Sequence, residues 1–197
     1  FKCILVLSGT EPQLANGNLL LDQLLGAEIV WTTREERDNT LMTVFEKSKA
    51  RGEKPFLIPL GASTSTGTFG YMEAIHELAD QGIEMDWVVV GSSSAGTQAG
   101  MVLGARVYDW RGKILGISID HPKLELQLAV ANLANEAAVR IGRRAEFTPQ
   151  DILVNDQYLG GGYAVAGEPE LEAIRLFARY EGLFLDPVYT GRAAAGM

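Results

Sequence analysis

Apolar positions in this chain fall into two alternating patterns: short β-branched or aliphatic runs, and longer stretches with helical spacing. Residues 1–7 (FKCILVL) read as a buried strand, 18–25 as a short helix stopped by Gly26, and 28–32 (EIVWT) as a second strand. Residues 39–50 carry Leu41, Val44 and Phe45 at helical spacing before Gly52, and 56–58 read as a strand between Pro55 and Pro59. A helix is predicted from about 68 to 81, a strand at 87–90, a helix at 99–107 and a strand at 113–119. Residues 123–141 form a long amphipathic helix with Leu124, Leu128, Ala131, Ala134, Ala138 and Ile141 on one face. Residues 168–180 form another, opened by Pro169 and closed by Gly182, with Leu171, Ile174 and Phe177 toward the core. A last short strand is expected at 183–185. β-rich runs separated by helices predict an α/β fold, its mostly parallel sheets covered by helices on both faces.

One junction stands out. Val88-Val89-Val90 leads through Gly91-Ser92-Ser93-Ser94-Ala95-Gly96-Thr97 into a helix. Such a strand–loop–helix turn directs several unpaired N–H groups at one point and adds the positive end of a helix dipole, which suits a phosphate. The loop matches neither GxxxxGK[ST] nor GxGxxG, and the same small residues equally serve a tight connection. Ligands in parallel sheets bind at the carboxyl ends of strands, where this loop lies.

Composition narrows the partners. With 47% hydrophobic residues in 197, the chain can bury an ordinary core. A formal charge of −8 argues against nucleic acid or an anionic membrane surface as partner. The one cysteine, Cys3, leaves no disulfide framework or thiolate cluster, and neither His76 nor His121 sits in a metal-ligand spacing. No run approaches the roughly 18 apolar residues of a membrane span, so a reducing, cytoplasmic compartment is expected. The chain opens inside a strand-like run and stops inside a helix-like one, 191–197. The expectation is an internal piece of a longer protein, truncated at both ends.

Several segments together resemble the fold type II (tryptophan-synthase-β-like) pyridoxal-phosphate enzymes, in the subgroup of D-cysteine desulfhydrase and 1-aminocyclopropane-1-carboxylate deaminase. They are Gly17-Asn18-Leu19-Leu20-Leu21-Asp22 with Gly26-Ala27-Glu28, and Ile58-Pro59-Leu60-Gly61-Ala62-Ser63 with Gly67 and Gly70-Tyr71. The Ser92–Gly100 loop, Gly160-Gly161-Gly162-Tyr163, Glu181-Gly182 and Leu185-Asp186-Pro187-Val188-Tyr189-Thr190-Gly191 complete the set, in the family's order.

The resemblance implies that main-chain N–H groups of Ser93, Ser94, Ala95, Gly96 and Thr97 hold the 5′-phosphate of pyridoxal 5′-phosphate. It implies active-site tyrosines at Tyr189 and Tyr163, able to adjust a nucleophile or transfer a proton; each could equally be a half-buried aromatic with a bonded hydroxyl. Ala95 stands where the family commonly has glycine, which requires φ to stay negative there; Ala62 departs from a frequent Gly-Gly-Ser. Thr190 occupies the place of the deaminase's glutamate near the pyridine nitrogen, which resembles the desulfhydrase side; a threonine there could also cap the terminal helix. The family's Schiff-base lysine lies in a Gly-Gly-Asn-Lys segment absent from this sequence. Lys2, Lys47, Lys49, Lys54, Lys113 and Lys123 read as surface or strand-end charges.

These points imply a homodimeric parent lyase performing α,β-elimination on a small amino acid, with this chain alone inactive. Residues 1–57 would finish a small α/β domain and 58–197 form most of a larger cofactor-binding one. A deaminase, a cysteate sulfo-lyase, and a non-catalytic phosphate-ligand or protein-binding module stay open as alternatives.

Overall fold

The first two aliphatic runs pair directly. Strands β1 (Ile4–Ser8) and β2 (Glu28–Thr32) form a parallel ladder from Ile4 opposite Glu28 to Ser8 opposite Thr32. Helix α1 (Gly17–Leu24) connects them, as a parallel pair requires. Helix α2 (Arg37–Ala50) follows, and its Leu41, Val44 and Phe45 are partly buried. The computed structural model describes residues 1–197, and these elements belong to the first of its two units, Phe1–Ile58; the second is Pro59–Met197.

The strand expected at 56–58 does not form. Phe56 is 88% and Ile58 61% exposed, and the prolines on either side cannot donate to a ladder.

The second unit contains α3 (Phe69–Asp80), β3 (Trp87–Ser92), α4 (Gly96–Val107), β4 (Lys113–Ser118) and α5 (Lys123–Arg140). It continues with β5 (Leu153–Asn155), α6 (Glu168–Tyr180) and α7 (Thr190–Ala195). The strands are parallel in the order β3-β4-β5, with Trp87 opposite Lys113 and Leu115 opposite Leu153. The three-residue β5 was too short for its pattern to show in the sequence. Leu183–Leu185, expected as a strand, pairs with nothing, and Phe184 is 91% exposed.

The core lies where α4 and α5 meet and reaches the sheet through Phe147, Ile152 and Val154. Ala99, Leu103, Leu126, Val130, Ala134, Ala137 and Ala138 are almost wholly buried, each large side chain contributing on the order of 1.5–3 kcal/mol. The buried face of α5 differs from the expected one. Ala131, Ala134 and Ala138 face inward as expected, but Leu124 and Leu128 are 60% and 45% exposed, and Leu126 and Val130 take their place. Small alanines let the helix approach α4 closely, and that approach, rather than leucine size, selects the face. In α6, Leu171 lies at the exposed margin while Ala173 and Glu170 are buried. Helices α3 and α4 meet at Gly100, where a Cβ would overlap the Thr68 carbonyl. No helix is long and apolar enough to cross a membrane.

Candidate active site

Strand β3 ends at Ser92, and α4 begins at Gly96, three residues earlier than its apolar periodicity indicated. The chain turns between them at Ala95, whose φ of +69° is left-handed. The expectation of a negative φ at Ala95 is therefore corrected. Ala62, the other departure from a family glycine, has φ +52°. A left-handed L-residue costs roughly 1–2 kcal/mol, tolerated here because the turn is held on both sides: Ala95 is 4% exposed and its carbonyl accepts the Ala99 N–H at 2.9 Å. Ala95→Gly is expected to stabilise the fold by about 0.5–1 kcal/mol, net of glycine's greater freedom when unfolded. A thermal melt checks this; an unchanged or lower Tm contradicts the strain.

The turn leaves its amides available. The N–H groups of Ser93, Ser94, Ala95, Thr97 and Gln98 donate to no backbone carbonyl, and that of Gly96 donates to Ser63 Oγ at 3.2 Å. Ser63 comes from the other small-residue loop, and its hydroxyl donates to Ser94 Oγ at 2.8 Å. The two loops meet closely. A Cβ on Gly61 would overlap Ser94 Oγ, and one on Gly96 would lie 2.6 Å from Ser63 Oγ. Ser92 Oγ is buried beside the turn with no partner. Successive free amides and hydroxyls form a nest that fits a phosphate dianion. Ser63 was missed as a site residue in the sequence because its hydroxyl reaches α4 only through tertiary contact.

Ser93 plays a narrower part than its loop position implied. Its hydroxyl donates to Asp120 Oδ1 at 2.8 Å, just beyond β4, so only its N–H faces a potential anion. His121 joins the same cluster, with Nε2 3.5 Å from Asp120 and Nδ1 2.8 Å from Glu125.

Tyr189 lies at the same end of β3, its carbonyl 3.0 Å from where a Gly91 Cβ would stand. Its hydroxyl is 2.7 Å from that of Tyr163, with the rings edge to face at 6.2 Å. The sequence places these residues 26 positions apart; the fold joins them. Burial first, then the Tyr163 hydroxyl, push the Tyr189 phenol up to about 12. A phenol held neutral so far above neutrality can hold or give a proton but does not take one.

Thr190 is not a cap. Its hydroxyl donates to Asp186 Oδ2 at 2.6 Å and accepts the Asp186 N–H at 2.8 Å. Asp186 performs the capping, its carboxylate receiving the N–H groups of Val188, Tyr189 and Thr190 at 2.7–2.8 Å. Burial opposes ionisation of Asp186, but the Thr190 hydroxyl and these amides outweigh it and hold its pKa down to about 2. Because the folded value is depressed, this stabilisation is complete above about pH 4 and is lost as pH falls toward 2. In an acid titration, Asp186→Asn should lose less stability than the parent across that window; equal losses contradict the assignment.

Arg192 and Glu170 were also missed. Both are nearly fully buried, and Arg192 Nε lies 2.8 Å from Glu170 Oε1. Nothing in the local pattern distinguishes them from surface charges; Glu170 falls on the polar-looking first turn of α6. An open, shallow groove of about 670 Å³ in the first unit is lined by Gly9, Thr10, Trp31, Thr32 and Glu36 among others.

The family model described as "Pyridoxal-phosphate dependent enzyme" matches residues 1–197. D-cysteine desulfhydrases of Salmonella paratyphi C and Salmonella choleraesuis are each 36% identical over 191 residues, covering 95% of this chain and 57% of the relative. The chain thus spans less than three fifths of the curated relatives it matches. A crystal structure of an ACC deaminase homologue superposes with TM-score 0.86 at 34% identity, over 99% of this chain and 59% of that one. An aspartate racemase at 16% identity and TM-score 0.58 shares the fold alone. An amide-lined turn able to fit a phosphate, at the end of a parallel strand in an α/β fold, agrees with the family match over residues 1–197: this chain belongs to the pyridoxal-phosphate dependent enzymes.

Proposed function

We propose that the whole protein is a pyridoxal-phosphate lyase that removes a β-substituent from a small amino acid, as a D-cysteine desulfhydrase does, giving pyruvate, ammonia and sulfide. The observation that carries the reading is Thr190: a neutral hydroxyl, its one proton given to Asp186, stands where the resembling deaminase has glutamate. Thr190 can therefore only accept a hydrogen bond, and it adds no charge beside the ring. That electronic setting suits elimination of a good leaving group more than opening of a carbon ring.

Bound pyridoxal phosphate supplies an electron-withdrawing ring that stabilises negative charge at the substrate's α-carbon. The chain's own residues provide the rest. N–H groups at Ser93, Ser94, Ala95 and Thr97, with the hydroxyls of Ser94 and Thr97, hold the phosphate at the head of α4. The Gly96 N–H, bonded to Ser63, keeps the nest in shape. Tyr189 holds a proton at Oη, and Tyr163 orients that hydroxyl. None of the six lysines stands in the anchor segment that the resemblance implies, and this chain alone is expected to turn over nothing. An exposed, unpaired Cys3 suits a cytoplasmic enzyme; a homodimer is carried over from the resemblance.

The test is turnover by the whole protein, expressed from its full reading frame and loaded with cofactor. D-Cysteine should yield sulfide and pyruvate in equal amounts. Release of 2-oxobutyrate from 1-aminocyclopropane-1-carboxylate instead would make it a deaminase, and phosphate binding without any turnover would make it a binding module.

A further inference from the structure

The Tyr163–Tyr189 contact joins two segments with little regular structure of their own. Tyr163 sits on the glycine-rich turn before α6, where Gly160 and Gly162 have positive φ. Tyr189 precedes the six-residue α7. Such segments need an external hold if two hydroxyls are to stay at hydrogen-bonding distance.

Arg192, one turn beyond Tyr189, reaches every part of this arrangement. Its Nη1 donates to the Ile119 carbonyl at 2.7 Å, at the end of β4. Both Nη atoms lie 3.3 Å from the Gly162 carbonyl, immediately before Tyr163, and Nη2 donates to the Val165 carbonyl at 2.9 Å. Nε is held by Glu170, whose other oxygen accepts the Gly167 N–H at 2.9 Å. One guanidinium therefore ties the sheet, the tyrosine turn and the first turn of α6 to α7. Lysine could not do this, since a single ammonium cannot direct donors in a planar fork toward three carbonyls and a carboxylate.

We propose that Arg192, oriented by Glu170, is a positioning residue that holds the Tyr163 turn against α7 and thereby creates the hydroxyl pair at the site. The inference deepens the function proposed above, because it explains how the chain keeps Tyr189 partnered. A simple core-filling role would need no donors aimed at Gly162 and Val165.

The experiment reads the tyrosine directly, with no cofactor or substrate present. The ring carbon bearing the Tyr189 hydroxyl is followed by NMR in ¹³C-tyrosine protein and assigned with Tyr189→Phe. In Arg192→Lys the charge and the Glu170 pair persist, but the fork is gone. The ionised fraction of Tyr189 at about pH 10.5 should then rise about eightfold, the change expected for one pKa unit. Tyr108, bonded to Glu73 at 2.7 Å on the α3–α4 surface, serves as the control and should not move. An unchanged Tyr189 in folded Arg192→Lys, or an equal shift at Tyr108, overturns the proposal. Should Arg192→Lys fail to fold, Glu170→Gln carries the same test: loosening the guanidinium should shift Tyr189 in the same direction, and no shift overturns it. Because this readout is geometric, it stands apart from whether Tyr189 acts in turnover, which Tyr189→Phe kinetics of the whole enzyme decide.

Discussion

Glu170→Ala should remove about 3–5 kcal/mol of folding stability, because it leaves the Arg192 guanidinium buried without its counter-charge. Arg192 and Glu170 side chains are 1% and 4% exposed, so water cannot replace the lost partner. For a chain of this size the loss corresponds to a fall in Tm on the order of 10 °C. Glu168, two residues earlier on the same helix, supplies the control. Its pair with Arg175 is nearly as short, at 2.9 Å, but 75% and 66% exposed, and Glu168→Ala should change stability by less than about 1 kcal/mol. Urea unfolding of the two variants, followed by circular dichroism, separates them. Equal small losses would mean that Arg192 gains solvent on losing its partner. Burial opposes ionisation of Glu170, but bonds from backbone N–H groups and Arg192 prevail and hold its carboxyl below the ordinary 4.5. Its contribution is therefore complete above about pH 4.5 and lost as the solution becomes more acid.

Tyr189→Phe should lower kcat of the whole enzyme by about 10²–10⁴-fold, the usual range for losing a positioned proton donor. The ring stays, so packing and phosphate binding should not change. The pH profile offers a second reading. With the phenol pushed up to about 12, no ionisation of Tyr189 should appear in kcat below about pH 10. An unchanged kcat in the variant removes Tyr189 from the chemistry and leaves it as packing for α7. If, as proposed, Tyr163 orients Tyr189, a Tyr163→Phe variant should show a smaller loss; an equal loss would put Tyr163 in the chemistry itself.

Most elements were legible because they rest on local patterns. Residues 168–180 formed a helix with the bounds that Pro169 and Gly182 imply, since both are local stop signals. The strand at 113–119 and the long helix after it formed within a residue of expectation. Where the reading failed, the deciding contact was distant. Residues 56–58 and 183–185 are apolar enough for strands but found no neighbour to pair with. On α5 the alanines of the expected face were buried, but Leu126 and Val130 joined them in place of Leu124 and Leu128, because the face a helix buries depends on what lies opposite.

The amide-rich turn after β3 was legible for a different reason. A β-branched run ending in Ser, Ala and Gly before a helix creates unpaired amides from backbone geometry alone, whatever the rest of the chain does. What stayed hidden was each residue's division of labour. Ser93's hydroxyl was lost to Asp120, 27 positions away, and Ser63 entered from 33 positions before Gly96. The sign of φ at Ala95 was likewise set by how the loop closes, not by alanine's own preference.

By itself the order of residues determined the alternation of strands and helices, the phosphate-ready turn and the family, since each depends on neighbours in the chain or on motifs in series. Only the tertiary structure decided that Tyr163 meets Tyr189, that Asp186 rather than Thr190 caps α7, and that Arg192 is buried against Glu170. Those outcomes are set by desolvation and hydrogen bonding between segments far apart in sequence, and the energy of such contacts exists only once the chain has closed around them.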